Sequence, residues 1–349
     1  MARKDRKHRR HRGPTAPGRR VGKGGAGGWG HDIPVPEAPE PAIPGHVFGH
    51  MERSLWIWQR MGEQGLLPAE DLATGSLRMH EYQGGPLPFD AKPLDMAQML
   101  IYDAWETEGG LPAVRLAERA LALCPDCADA YLIFAEEVAA TQAEARRYLE
   151  KGLAAGERAL KQEPVEIPVG DYESVVTTRP YVRVRAALAH LLWNAGDREG
   201  AIAHAHEIIR LSDLDKLGMR YSLLSWLLEE GRDGEAEELV KRGQEESAMW
   251  MYSQTLIAFR REGKSEQARS LLARARAFNP YVPDYLLGNQ PLPPFAPETF
   301  EPRAPSEAES YAFEWRPLWC TTPGALEWLK DEISKPPKGS PDHLTLPEG

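Results

Sequence analysis

The segments "NAGDREGA" (194–201), "EEGRDGEA" (229–236) and "REGKSEQA" (261–268) are three versions of one pattern, a glycine followed five residues later by an alanine. Glycine suits the end of a helix because, lacking Cβ, it enters the left-handed C-terminal cap without strain. The acidic or polar residue after it caps a following helix, whose dipole favours negative charge at its start. The alanine then falls on the inner face of that second helix, where two backbones come too close for a larger side chain. A bulky replacement there is expected to cost roughly 1–3 kcal/mol as overpacking. The pattern reads as the turn of a helix hairpin, written three times.

The alanines lie 35 and 32 residues apart (201, 236, 268), which brackets the 34-residue tetratricopeptide period. Aligning on them predicts units over 182–215, 217–248 and 249–282. Leu188, Ala189 and Leu192, then Leu223, Leu224 and Leu227, then Leu256, Phe259, Ala275 and Pro280, fall where such units want apolar or closing residues. Upstream, 94–127 fits through Leu100, Ala113, Ala120 and Pro125. A degenerate unit, 128–162, pairs "AYLIFAEEV" with "EARRYLEKGLAAGERAL". Each pair can bury its apolar face only against a neighbour. The expected fold is all-α: a tetratricopeptide-like α-solenoid of about five helix-hairpin repeats over 94–282, with a disordered N-terminal arm.

The chain has 349 residues, 42% of them hydrophobic and 27% charged, enough for a soluble core. No apolar run approaches the ~18–20 residues of a membrane span, and no apolar stretch follows the basic N-terminus to make a secretory signal. With only Cys124, Cys127 and Cys320 there is no disulfide framework, so a reducing cytoplasm is expected. Residues 1–23 carry ten Lys or Arg against one Asp, a net of +9, which leaves −19 for the rest of a chain whose total is −10. This basic stretch, the following "GKGGAGGWG" and the proline-rich "IPVPEAPEPAIPG" read as a disordered arm over 1–45. The arm is either an electrostatic contact for RNA, DNA or another acidic surface, or a solubilising tail; the lack of interleaved aromatic residues favours the tail. A helical lead-in is expected over 46–93, with short helices at 51–61, where Leu55 and Trp58 can share a face, and at 69–80. The prolines of 163–173 mark a loop. A capping segment is expected over 283–335, with helices at 307–313 and 323–333, followed by a disordered tail over 336–349.

Catalytic and metal motifs are wanting. "CPDC" (124–127) is a C-x-x-C without the second pair that zinc requires, and it sits at a helix-to-helix junction rather than after a strand. His46 and His50 are four apart, but between glycines, which disfavours the helix that would bring them together; His31 and His80 lie elsewhere in the same half. "GKGGAGGWG" lacks the G-K-[ST] ending of a phosphate loop. No enzyme activity, cofactor, metal or membrane contact is expected. In tetratricopeptide units the first helix of each pair lines the concave groove. That register selects Gln98, Tyr102 and Trp105, then Arg183, His190, Trp193 and Asn194, then Tyr221 and Ser225, and finally Trp250, Ser253, Arg260 and Arg261 as candidate partner contacts. Trp, Tyr and Arg are favoured anchors of interfaces. Packing between repeats, or cover by the C-terminal segment, is an equal reading for any one of them.

Two stretches after the repeats, "NPYVPDYLLGNQPLPP" (279–294) and "SEAESYAFEWRPLWCTTPGALEWL" (306–329), resemble the C-terminal region of the suppression of tumorigenicity 7 protein family. "RPYVRVRAALAHLLWNAGDREGAIAH" (179–204) is similar to that family's helical repeat region and to bacterial tetratricopeptide proteins of unknown role. The resemblance covers roughly 94–329 and omits the basic arm. Animal members carry N-terminal membrane segments and this sequence shows none, so the likeness is to a soluble bacterial-type relative; it implies a fold and no reaction. The expected function is a cytoplasmic, non-catalytic scaffold that holds a protein or peptide in the concave groove. The alternative is a nucleic-acid-associated factor that uses the basic arm while the solenoid recruits a protein.

Overall fold

The structure is a computed structural model that describes residues 49–67 and 85–335, without 108, 164–166, 244, 245, 296 and 298. The arm expected over 1–45, the helix expected over 69–80, the histidines at 31, 46 and 80, and the tail over 336–349 lie outside the described residues.

The described chain is helical; two isolated bridges joining Gly170 and Asp171 to Ser212 are the β pairing among its described residues. Helix α1 (Gly49–Glu63) comes first, where the lead-in was expected. Ten helices follow in sequential pairs. They are α2 (Pro93–Trp105) with α3 (Gly110–Leu123), α4 (Ala128–Glu137) with α5 (Gln142–Leu160), and α6 (Arg179–Asn194) with α7 (Arg198–Leu211). Then come α8 (Met219–Glu229) with α9 (Asp233–Arg242) and α10 (Ala248–Glu262) with α11 (Glu266–Phe278). Each helix packs on the next in sequence, and the first helices of neighbouring pairs also touch, α2 on α4 and α4 on α6. A short α12 (Val282–Leu286), then α13 (Pro305–Thr321) and α14 (Ala325–Ile333), close the chain.

The hairpin turns follow the reading of the repeated motif in their glycines and alanines, and in two of the three caps; at the start of α9 the N-cap is Arg232, with no side-chain cap bond, and Asp233 is already inside the helix. Gly196, Gly231 and Gly263 all have positive φ. Asp197 and Ser265 accept hydrogen bonds from the backbone N–H groups of Gly200 and Ala268, capping α7 and α11. Ala201, Ala236 and Ala268 are completely buried. In α5 the close-packing role passes to two glycines one turn apart. A Cβ on Gly152 would lie 3.0 Å from Tyr131 Cβ and 3.1 Å from Val184 Cγ1, and one on Gly156 would lie 3.0 to 3.2 Å from Tyr181. These glycines seat α5 between α4 and α6, the helices that carry Tyr131 and Tyr181.

Two differences from expectation have local causes. Helix α13 runs from Pro305 to Thr321, through Pro317, where a helix ending at 313 was expected. Its buried Tyr311, Trp315, Leu318 and Trp319 hold one continuous face against the body. Packing outweighs the hydrogen bond that proline removes. The loop over 167–178 is pinned rather than free: Gly170 and Tyr172 both donate to Leu211 O at 3.1 Å, and a 3₁₀ turn (Val176–Thr178) leads into α6. The apolar interior divides into a large cluster reaching from Ala128 to Leu329 and a smaller one that joins Trp56 and Ile57 of α1 to α2, α3 and the start of α4.

Candidate binding face

The first helices of the pairs share one face, and at its N-terminal end α1 lies on them. Three α1 side chains at four-residue steps, Glu52, Trp56 and Arg60, point into this contact. The Trp56 indole N–H donates to Asp95 Oδ1 at 3.0 Å. Arg60 Nε donates to the same oxygen at 2.8 Å, and Arg60 Nη1 and Nη2 reach the Glu163 carboxylate at 2.9 and 3.0 Å. At the other end, Glu52 receives Arg183 Nη1 at 2.7 Å, the Tyr102 hydroxyl at 3.3 Å and Arg179 Nη1 at 3.6 Å. Gln59 clamps the 3₁₀ turn, accepting from Val176 N at 3.0 Å and donating to Thr177 Oγ1 at 3.3 Å.

Arg183 is the hub of this network. Its Nε and Nη2 hold Asp129 at 3.1 and 2.6 Å, and its guanidinium lies 4.8 Å from the Trp105 ring centre. Burial alone would lower the pKa of both Arg183 and Arg60. Asp129 and Glu52 more than reverse that for Arg183, as Glu163 and Asp95 do for Arg60, so both stay firmly charged. The Tyr102 phenol is pushed well up by burial and by the Glu52 charge. Of the candidate contacts, Gln98, Tyr102, Trp105 and Arg183 are therefore buried; Tyr102 and Arg183 engage Trp105 and Glu52 of α1, and Gln98 joins through Asp129. Gln98 donates to Asp129 Oδ2 at 2.9 Å.

The C-terminal end of the face is covered by α13 and α14, which pack on α10, with α13 also reaching α8. Phe259 stacks on Trp328 at 4.7 Å, and Tyr252 meets Tyr311 at 5.6 Å. Glu307 caps α10 by accepting from Ala248 N at 2.8 Å, and it also takes Asn279 Nδ2 at 3.0 Å. Trp250 is buried against Tyr221 at 6.0 Å, edge to face, and Ser253 donates to Met249 O at 2.5 Å.

Between the two covered ends, Trp193 stacks on Trp226 at 4.8 Å, with His190 edge-on to Trp226 at 5.2 Å and the Arg198 guanidinium 3.7 Å from the Trp193 ring centre. Burial lowers the His190 pKa. Asn194 is exposed at the end of α6, while Ser225 is half-buried and donates to Glu229 Oε1 at 3.3 Å. Arg260 pairs with Asp233 at 3.0 Å, and Arg261 pairs with Glu237. An open cleft of about 800 Å³ lies beside Arg260, lined by Glu229, Asp233, Phe259, Leu318 and Thr322 among others. Burial raises the Glu229 carboxyl above its usual range, against the pull of the Ser225 hydroxyl.

Sequence reasoning missed Glu52, Trp56, Arg60, Asp95, Asp129 and Trp226. The four-residue spacing of the first three was visible in "MERSLWIWQRM", but nothing local indicates which surface they meet. Cys124 and Cys127 lie at the α3–α4 junction, Cys127 buried with its Sγ 3.8 Å from Gln98 Oε1. Burial pushes both thiols up, away from thiolate chemistry. Among the described residues no group of three or more His, Cys, Asp or Glu could hold a metal ion, and no helix is long and apolar enough to cross a membrane.

The class defined by this arrangement is an all-helical protein of sequentially paired helices, with a face on which its own helices are seated. Comparison with known families is narrower. The family model described as ST7 protein matches residues 88–226, from just before α2 into α8. Among curated proteins, the chain is 27% identical over 263 residues to the suppressor of tumorigenicity 7 protein-like of Gallus gallus, covering 69% of this chain and 47% of the relative. It is 28% identical over 264 residues to that of Homo sapiens (69% and 46%). To the protein ST7 homolog of Caenorhabditis elegans it is 27% identical over 273 residues (66% and 50%). The chain spans about half the length of the curated relatives it matches. No solved structure matches significantly.

Proposed function

We propose that the chain is a non-catalytic scaffold, a tetratricopeptide-like solenoid of the ST7 type, that holds a protein segment on the face made by its first helices. The observation that carries this reading is that two pieces of the chain, α1 and the α13–α14 pair, already lie on that face in the manner of bound helices. The stretch left between them, with Asn194 and Ser225, together with the cleft beside Glu229 and Arg260, is the proposed partner contact. Aromatic side chains backed by arginine suit desolvated protein contacts. The nucleic-acid alternative rests on the +9 charge of residues 1–23 alone.

The test uses the full chain as bait, with Ser225→Arg as the variant. Ser225 is half-buried and bonded to Glu229, which lines the cleft, so a large cation there is expected to block docking without opening the core. A partner crosslinked to the parent and lost from the variant, at unchanged melting temperature, supports the reading. Partners retained in full by the variant would sink it. Arg183 is unsuitable for this purpose, because its burial ties any substitution to stability.

A further inference from the structure

We propose that the seat beneath α1 is a helix-recognition site, and that α1 is its resident ligand in cis. The external occupant it fits is an amphipathic helix of a partner protein, presenting an acidic residue, a tryptophan and an arginine at successive four-residue steps. The inference rests on the scaffold reading only in taking the partner to be a protein segment.

The seat is chemically polar from end to end. Arg183 and Arg179 with the Tyr102 hydroxyl form its donating end, where Glu52 docks, and beside them Asp103 and Glu106 receive Arg53, each at 2.8 Å. Asp95 and Glu163 form its acidic end, where Trp56 and Arg60 dock. A helix laid in the reverse direction, or slipped by one residue, would bring like charges together and leave buried groups unpaired. Desolvated ion pairs add little net stability over apolar packing of similar shape, and their best-attested use is to fix register and partner. What α1 buries is correspondingly unlike a core helix. Glu52, Arg53 and Arg60 are all buried, alongside the hydrophobic Trp56 and Ile57. Trp and Arg anchors within a polar frame are the composition of an interface hot spot.

Lifting α1 takes the Arg60 contacts from Glu163, the Arg53 contacts from Asp103 and Glu106 and the Glu52 contact from Tyr102, but the centre of the seat keeps its own partners. Arg183 retains both Asp129 contacts through Nε and Nη2, since only Nη1 faces Glu52. Asp129 retains the Gln98 amide, and Asp95 retains the Lys92 backbone N–H at 2.8 Å. Arg183, Asp129 and Asp95 are thus held in place for a second helix. Moreover, α1 belongs to the smaller apolar cluster, so its release leaves the large one from Ala128 to Leu329 intact.

Two measurements test this. Hydrogen exchange on the unaltered full chain should find the α1 amides exchanging about tenfold or more faster than those of α6 and α7, as a separate opening. Anisotropy of a labelled 49–63 peptide should then detect binding to a full-length chain whose own α1 is disabled by Trp56→Ala with Arg60→Ala. The same peptide carrying Glu52→Ala should bind about tenfold to 100-fold more weakly, the loss of one buried charge partner. Exchange of α1 in step with α6 and α7 would make it an ordinary core element and overturn the proposal, even where the disabled chain fails to fold. So would a folded, disabled chain that ignores the peptide. A concentration-dependent dimer of the parent that the peptide dissolves would assign the seat to a second copy of this chain and overturn the foreign partner. None of these outcomes bears on Ser225, so the scaffold reading stands or falls separately.

Discussion

Replacing Arg183 with methionine strands two carboxylates at once. Asp129 is 0% exposed and Glu52 is 7% exposed, and Arg183 holds them at 2.6 and 2.7 Å. Breaking a buried ion pair from one side costs about 3–5 kcal/mol, because the surviving charge stays buried. Each acid keeps something here: Asp129 the Gln98 amide at 2.9 Å, Glu52 the Tyr102 hydroxyl at 3.3 Å and Arg179 at 3.6 Å. The loss is therefore expected near the lower end, about 3 kcal/mol from charge, with up to about 1 kcal/mol more from the cation lost over the Trp105 ring. At about 2–4 °C per kcal/mol for a chain of this size, the melting temperature should fall by roughly 6–16 °C. Calorimetry and urea unfolding of parent and variant would measure it. Adding Asp129→Asn to Arg183→Met removes one stranded charge and should recover about 1 kcal/mol or more, a coupling the double-mutant cycle reads directly. A single variant within about 0.5 kcal/mol of the parent, or a double variant no better than the single, would refute the reading of Arg183 as the partner of buried acids.

Gly156→Ala should gain up to about 1 kcal/mol of helix propensity but lose more. Its Cβ would meet Tyr181 Cα at 3.2 Å, which is backbone and cannot swing away, so a lower melting temperature is expected and a rise would show that α5 and α6 can separate. Ala236→Leu, at a fully buried site in α9, should cost about 1–3 kcal/mol by overpacking; unchanged urea unfolding would mean that no tight helix crossing occurs there. Burial lowers the His190 pKa from 6.5, so the unfolded chain takes up a proton below that pH before the folded ring does, and stability falls on acidification. His190→Gln should remove this component, no more than about 1.4 kcal/mol at pH 5.5. Comparing parent and variant is essential, since Asp215, pushed up to about 6 by burial, works in the opposite sense and loses stability as pH rises through that value. If parent and variant lose stability equally between pH 7 and 5.5, His190 is not held neutral by its surroundings. Cys124→Ser with Cys127→Ala should leave metal content unchanged and cost about 1–2 kcal/mol, with elemental analysis and thermal unfolding as the checks; stoichiometric zinc lost from the double variant would contradict the buried-thiol reading.

The helix pairs were legible in the sequence because their determinants are local. A glycine that takes positive φ at 196, 231 and 263 and a small residue five positions on lie within a turn or two of one another, as do the side-chain caps Asp197 and Ser265; at the second turn Arg232 holds the N-cap position and makes no side-chain cap bond. The apolar residues of "AYLIFAEEV" were readable for the same reason, as was a short helix over 51–61, although its buried face is that of Glu52, Trp56 and Arg60 and the expected Leu55 and Trp58 are half-buried. What lies on those faces was decided elsewhere. Glu52 meets Arg183 across 131 residues and Arg60 meets Glu163 across 103, distances over which spacing carries no signal. A tryptophan or arginine on the first helix of a pair has the same sequence signature whether it awaits a partner or is covered by its own chain. Burial separated the two: Trp105, Arg183 and Trp250 are buried, while Asn194 remains exposed at the end of α6. The continuation of α13 through Pro317 was likewise settled by tertiary contact, since the local rule stops a helix at proline and only the packing of Trp315 and Trp319 against the body carries it on. Local chemistry determines where helices begin, end and bend back, because those forces act between near neighbours; which face is filled, and by what, depends on desolvation and charge pairing among groups that only the folded chain brings together.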